Sequence, residues 1–316
     1  MMNERKLKIV FMGTPDFAVG SLKALHEAGY PIVGVITAPD KPAGRGMKLQ
    51  ESPVKQYAAK HHLRILQPEK LKHPAFLDEL RSLHADIQVV VAFRMLPELV
   101  WNMPPHGTIN LHASILPQYR GAAPINWAVI NGERESGVTT FKLQHDIDTG
   151  NILFSERIPI AEDETAGELH DELMAVGADL VVRTIDAIGN NTAIEQPQTA
   201  DASALKHAPK IFTADCKIDW TKSVEEIYNL IRGLSPYPSA FTLLGDKNFR
   251  IFKASKEQAV VDIVPGGFLS DGRNFLKFAC RDGFIHATEV QLEGKKKMNI
   301  TDFLRGWRPV QNEPGL

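Results

Sequence analysis

The sequence predicts an α/β fold: a doubly wound, Rossmann-like N-terminal domain with a mostly parallel sheet, then a small C-terminal β-barrel of OB-like type. Three observations predict it. Short runs of consecutive apolar residues, rather than alternating ones, punctuate the first part of the chain, as strands buried on both faces require. Amphipathic stretches at helical spacing separate those runs, which is the alternation of a sheet covered by helices on both sides. Past residue 209 the pattern changes to short strand-like runs divided by turn residues, as in a small barrel.

Taken in order, residues 8–12 form the first apolar run, and Gly13-Thr-Pro-Asp16 turns it into a helix. That helix carries Phe17, Leu22, Leu25 and Ala28 on one side and stops at Gly29. A second buried strand spans 32–37. Ser52 and Pro53 read as an N-cap and first helical residue, opening a helix to about His62. Residues 75–83 are helical by spacing, and 86–93 form a strand. Further strands follow at 108–112, 138–143 and 152–158, then a long helix over 165–188. Asn, Thr, Gln, Pro, Asp and Ser then replace the periodic pattern. The expected division is therefore a first domain over 1–189, a linker over 190–208 and a second domain over 209–316. The second domain opens with a helix over 224–234, and its strands are expected at 240–244, 249–254, 275–280 and 284–290.

Composition narrows the function classes. With 316 residues, 43% hydrophobic and 23% charged, the chain has the balance of an ordinary globular protein of two domains. The apolar run at 9–12 is too short for a signal-peptide core or a membrane span, so a cytoplasmic protein without membrane attachment is expected. Cys216 and Cys280 form no C-x-x-C, which signals neither a disulfide framework nor a zinc knuckle. Net charge is −2, yet from His207 onward Lys and Arg outnumber Asp and Glu by 16 to 13. Gly13-Thr-Pro-Asp16 lacks the G-x-G-x-x-G spacing, and no Walker A sequence exists, so no nicotinamide or ATP site is expected.

Residues 110–121 concentrate the chemistry: Asn-Leu-His-Ala-Ser-Ile-Leu-Pro-Gln-Tyr-Arg-Gly. Asn110 and His112 alternate along a strand and so face the same side of the sheet. Their strand ends where doubly wound folds bind ligands. Asp146-Ile-Asp148-Thr-Gly150 follows another apolar run. A hydrogen-bond donor, a titratable base and a carboxylate, without sulfur, suit chemistry at a carbonyl carbon. A structural histidine and an Asx-turn would use the same letters. A metal set of His112, His145, Asp146 and Asp148 also fits by ligand type, although its spacing matches no metal motif. Residues 39–48 exclude a helix through two prolines and two glycines, and Lys41, Arg45 and Lys48 make them basic. Such a loop is either a solvated surface or a phosphate grip, and Lys295 to Lys297 share the ambiguity.

Residues 110–124, with the later Asp-Thr-Gly, resemble the folate-dependent formyltransferase family. The resemblance runs nearly the full length, through 11–18, 39–48, Ser52-Pro-Val-Lys55, Ala208-Pro-Lys210, Ile218-Asp-Trp220 and 231–238. It implies 10-formyltetrahydrofolate as co-substrate and initiator methionyl-tRNA as acceptor, with Asn110, His112 and Asp148 catalytic and no metal. Ser114, Ile115, Leu116 and Pro117 match the family's folate-binding stretch, and Phe93, Arg94, Met95 and Leu96 fall at its pterin pocket. By the same resemblance Arg45, with Lys41 and Lys48, belongs to the loop used against the tRNA acceptor end. The linker and barrel would hold the tRNA body. A monomer acting in translation initiation is expected.

Overall fold

The computed structural model describes residues 6–43, 48–199 and 204–307, which form two compact units. The first comprises Met1–Gly121, Ser136–Ile158 and His170–His207; the second comprises Ala122–Glu135, Pro159–Leu169 and Ala208–Leu316.

The chain begins with β1 (Ile9–Gly13), α1 (Asp16–Glu27), β2 (Ile32–Ile36), β3 (Lys41–Ala43), β4 (Lys48–Gln50), α2 (Pro53–Lys60) and β5 (Ile65–Leu66). There follow α3 (Pro74–Ser82), β6 (Ile87–Val91), α4 (Glu98–Trp101), β7 (Thr108–His112) and β8 (Arg120–Gly121). Next come α5 (Pro124–Ile130), β9 (Glu135–Lys142), β10 (Ile152–Pro159), α6 (Ala166–Gly189) and β11 (His207–Ala208). The first unit is built on a seven-stranded sheet in the order β10-β9-β7-β6-β1-β2-β5. The contiguous apolar runs are buried on both faces, as expected: Ile9 to Met12 are fully inaccessible. β1, β2, β5, β6 and β7 pair in parallel, whereas β9 runs antiparallel to β7. The hydrophobic run of β9 carries no direction, so the sequence could not show this reversal.

One face of the sheet carries α1 and α6, which meet where Gly20 lies against Met174. Gly177 of α6 lies against Leu111 of β7, so Leu111 points to this side. On the opposite face α3 and α4 place Phe76, Leu80 and Val100 against Val10, Met12, Ile36 and Val90. The expected cap of α2 is present: Ser52 Oγ accepts from Lys55 N–H at 3.0 Å, with Pro53 in the first turn. The basic segment at 39–48 is not a plain loop. β3 and β4 pair antiparallel, with Pro42 opposite Leu49, a two-stranded ribbon in which a proline is tolerated because no further strand needs its missing N–H.

The second unit contains α7 (Val224–Gly233), β12 (Ala240–Leu244), β13 (Lys247–Gln258), β14 (Phe268–Ser270), β15 (Leu276–Cys280), β16 (Gly283–Leu292), β17 (Met298–Asn299) and α8 (Ile300–Gly306). Its antiparallel sheet, a half-barrel, has the order β12-β13-β16-β15-β14, with β17 on β16. Trp220 stacks on Phe278 at 4.8 Å between centroids, and Phe249, Phe268 and Phe303 complete an aromatic core. A capping box between Ser223 and Glu226 starts α7. α5 also belongs to this unit: Gly233 leaves no room for a β-carbon against Ile130, and Asn126 donates to Gly233 O at 2.8 Å. Among the described residues no helix is long and apolar enough to cross a membrane.

Candidate functional site

The site lies at the carboxyl edge of the parallel strands. The sheet reverses its winding between β1 and β6, since β2 and β5 extend to one side of β1 and β6 and β7 to the other. Crevices form at such points because the loops leave in opposite directions. Gly13 closes the β1–α1 turn beside it, where a β-carbon would come within 2.6 Å of Ala18 Cβ and 3.0 Å of Val91 O.

Asn110 sits between Val90 of β6 and Phe141 of β9, and His112 opposite Thr139. Because Leu111 faces α6, Asn110 and His112 face the other side, as their alternation requires. Asn110 is partly exposed, and its side chain has no hydrogen-bond partner among the described residues. It therefore keeps a free amide donor at the strand end. His112 is only 7% exposed; one ring nitrogen is hydrogen-bonded and the other faces a carboxylate. Nε2 lies 2.9 Å from the carbonyl oxygen of Tyr119, an atom that can only accept, so Nε2 carries the proton. Nδ1 lies 3.8 Å from Asp148 Oδ2. A second proton on the ring goes to Nδ1, where the carboxylate supplies the counter-charge.

Asp148 is 8% exposed and adopts a left-handed backbone, φ 54°, which aspartate tolerates better than most residues. Its Oδ2 accepts from Gly121 N–H at 3.0 Å. Two residues on, Gly150 is obligatory: a β-carbon would lie 1.6 Å from Lys142 O. Tyr119 also has a left-handed backbone, φ 61°, a conformation costing about 1–2 kcal/mol for a residue with a β-carbon. That conformation belongs to the turn that aims its carbonyl at His112.

The segment after β7 is held by β9. Thr139 Oγ1 donates to Ser114 O at 2.7 Å and accepts from Leu116 N–H at 3.2 Å, so a fully buried hydroxyl sets the path of 114–116. Ser114 Oγ donates to Gln118 O at 2.6 Å, and Ser114 and Leu116 are buried while Ile115 and Pro117 are half-buried. In the neighbouring loop Met95 is 72% exposed, and Arg94 is turned to the backbone carbonyls of Pro68 and Glu69. Phe93 is half-buried, and Leu96 packs into the apolar cluster of its face.

Lys41 is exposed on β3 and Lys48 begins β4, but Arg45 lies outside the described residues. The base of this ribbon is pinned. Lys55 pairs with Asp40 and, at 3.0 Å, with Glu51; Gln67 donates to Asp40 Oδ1 at 2.8 Å. These bonds, Lys55 first, hold the Asp40 carboxyl below its ordinary range. The alternative metal set is not gathered: His145 and Asp146 are exposed, and among the described residues no three His, Cys, Asp or Glu side chains group to hold a metal ion.

Sequence reasoning brought Asn110, His112 and Asp148 to one place, and the structure joins the latter two. It missed Thr139, whose only signal was a polar residue inside an apolar strand. It also missed Gln198, which donates to the carbonyls of Asp148 and Gly150 and for which no local signal exists.

The family described as formyl transferase matches residues 7–185, and the formyl transferase C-terminal domain matches residues 210–308. The methionyl-tRNA formyltransferase of Bacteroides fragilis is 54% identical over 313 residues, covering 97% of each chain. That of Phocaeicola vulgatus is 56% identical, covering 98% of this chain and 99% of its own. Among solved structures, the N-formyltransferase from Helicobacter canadensis in complex with folinic acid and dTDP-3-aminofucose has a TM-score of 0.66 at 24% identity, covering 89% of this chain and 98% of its own. A sugar 3N-formyl transferase has a TM-score of 0.65, also at 24% identity, over 92% of this chain and 100% of its own. These two show a shared fold.

Proposed function

This chain belongs to the formyl transferase family and formylates methionyl initiator tRNA from a formyl-tetrahydrofolate donor; we propose that the donor is 10-formyltetrahydrofolate and that Asn110, His112 and Asp148 carry the transfer. The observation that carries the assignment is the imidazole of His112 fixed between the Tyr119 carbonyl and Asp148, on the same strand face as the free amide of Asn110.

The methionyl α-amine, with a reference pKa of about 8, is partly neutral at physiological pH and attacks the formyl carbon. The carbonyl electrons move to oxygen, where the Asn110 amide donates to the developing oxyanion. His112, protonated on Nδ1 with Asp148 as counter-ion, adds positive charge. As the oxyanion re-forms the carbonyl and the bond from the formyl carbon to the folate nitrogen breaks, the ring gives a proton to that departing nitrogen and takes up the one that the attacking nitrogen loses. No metal takes part in this scheme, because the amide and imidazolium supply the electrophilic assistance. Removing one such donor costs about 10²–10³-fold in rate. Asn110→Ala and Asp148→Ala are each expected to lose turnover on that scale, and near-normal turnover with folding intact would sink the assignment.

Ser114, Ile115, Leu116 and Pro117, with the backbone of Phe93, Arg94, Met95 and Leu96, are proposed to bind folate. Lys41, Arg45 and Lys48 are proposed to meet the tRNA acceptor end, with residues 190–208 as linker and 209–316 holding the tRNA body. The enzyme is read as a cytoplasmic monomer without membrane attachment. A net charge of −2 makes tRNA affinity depend on local basic groups and fall steeply with salt. Arg45→Ala should raise the KM for tRNA and leave folate binding unchanged; an unaltered KM for tRNA removes that loop from recognition.

A further inference from the structure

Residues 195–198 are fastened along the Asp148 loop. Glu195 pairs with Lys142 and accepts from Asn151 Nδ2 at 3.0 Å, bonds that hold its carboxyl below the ordinary range. Gln196 exchanges two backbone hydrogen bonds with Ile152, each 2.8 Å. The Gln198 side chain then reaches inward. Its Nε2 donates to Asp148 O at 2.9 Å and to Gly150 O at 2.8 Å. Its Oε1 accepts from Arg120 at 3.1 Å from Nε and 2.6 Å from Nη2. Guanidinium groups only donate and carbonyls only accept, so the orientation of this amide follows from its neighbours.

Arg120 lies between Tyr119, whose carbonyl holds His112 Nε2, and Gly121, whose N–H holds Asp148 Oδ2. The Gln198 amide therefore joins the two loops that grip the imidazole from its two sides. We infer that Gln198 is a positioning residue for formyl transfer, which sets Asp148 against His112 by bridging the 148–150 loop to Arg120. The inference rests on the reading that His112 and Asp148 act in the transfer. Few side chains can replace it. Glutamate keeps an acceptor for Arg120 but turns a carboxylate toward two carbonyl oxygens, methionine keeps the volume with neither function, and asparagine is one methylene too short.

The test uses the full chain with 10-formyltetrahydrofolate and methionyl initiator tRNA. Gln198→Met and Gln198→Glu are each expected to lower kcat about 10–100-fold, the scale of a small misplacement of reacting groups. KM for both substrates should stay within about twofold, since neither binding surface is altered. Melting temperatures establish that the variants fold. On an Asp148→Asn background, Gln198→Met should cost less than about twofold more, because residues acting through one another are not additive. Arg120→Gln opens the same bridge from its other end and should give a smaller loss in kcat, also absorbed by Asp148→Asn. Parental kcat in both Gln198 variants, or a full further loss on the Asp148→Asn background, overturns the inference. The single variants His112→Ala and Asp148→Asn separate the two levels. If they too keep parental turnover, the catalytic reading itself fails; if they lose it while Gln198 variants do not, only the positioning role falls.

Discussion

The two halves of the site are held by different means. Asn110 and His112 belong to β7, paired on one side with β6 and on the other with β9. A strand inside a sheet is positioned by many repeated backbone bonds, and losing one side chain nearby shifts it little. Asp148 belongs to no regular element. Its left-handed backbone is secured by Gly121, by Gln198 and by the tight fit of Gly150 under Lys142 O. The proposed donors thus stand on the rigid framework, whereas the proposed counter-charge depends on a handful of separate contacts. Sensitivity to substitutions that touch no substrate should therefore concentrate on the loop half.

The largest effect tests the strand half directly. Asn110→Ala should reduce kcat by about 10²–10³-fold with an unchanged melting temperature, because the ladder rather than the side chain maintains β7. A comparable drop in stability would show that the strand is less self-sufficient than its pairing suggests. Next comes Gly150→Ala, whose added methyl would sit 1.6 Å from a carbonyl oxygen and must move the loop. A loss of about 10²-fold in kcat is expected, together with a lower melting temperature. Parental activity would mean that the loop adjusts freely, and the contrast between the halves would collapse. Thr139→Val probes the support of the 114–116 segment. It leaves two backbone groups without their partner at about 1–2 kcal/mol, which should appear as a roughly 5–10-fold higher KM for the folate donor with little change in kcat. A kcat effect instead would place Thr139 with the reacting groups. Thr149→Ala, which removes an exposed hydrogen bond to Asp146 O at 3.0 Å, should change kcat by no more than about twofold. A larger change would add that contact to the loop's supports.

Most of the secondary structure could be read from the chain because its signals are local. Five-residue apolar runs, the Ser52-Pro53 start and the long periodicity of α6 each depend on neighbours within a turn or two. The elements that escaped are short or lack such signals. α5 has seven residues and α8 seven, and β3 and β4 have three each, lengths at which periodicity says little. The catalytic candidates were legible for a related reason: Asn110 and His112 are two positions apart, and a strand's alternation places them together.

By itself, the sequence determined the apolar runs that must be buried on both sides, the residue types able to work on a carbonyl group, and the pair Asn110 and His112 on one strand face. Tertiary structure alone decided the direction of β9, the tautomer of His112, and the approach of Asp148 from 36 residues away. It also decided that a polar stretch reading as an interdomain linker would return to tie Arg120 to the Asp148 loop. The division has a physical cause. Burial patterns and caps act between near neighbours and leave their period in the chain, whereas a hydrogen bond across 50 residues leaves only one glutamine among many.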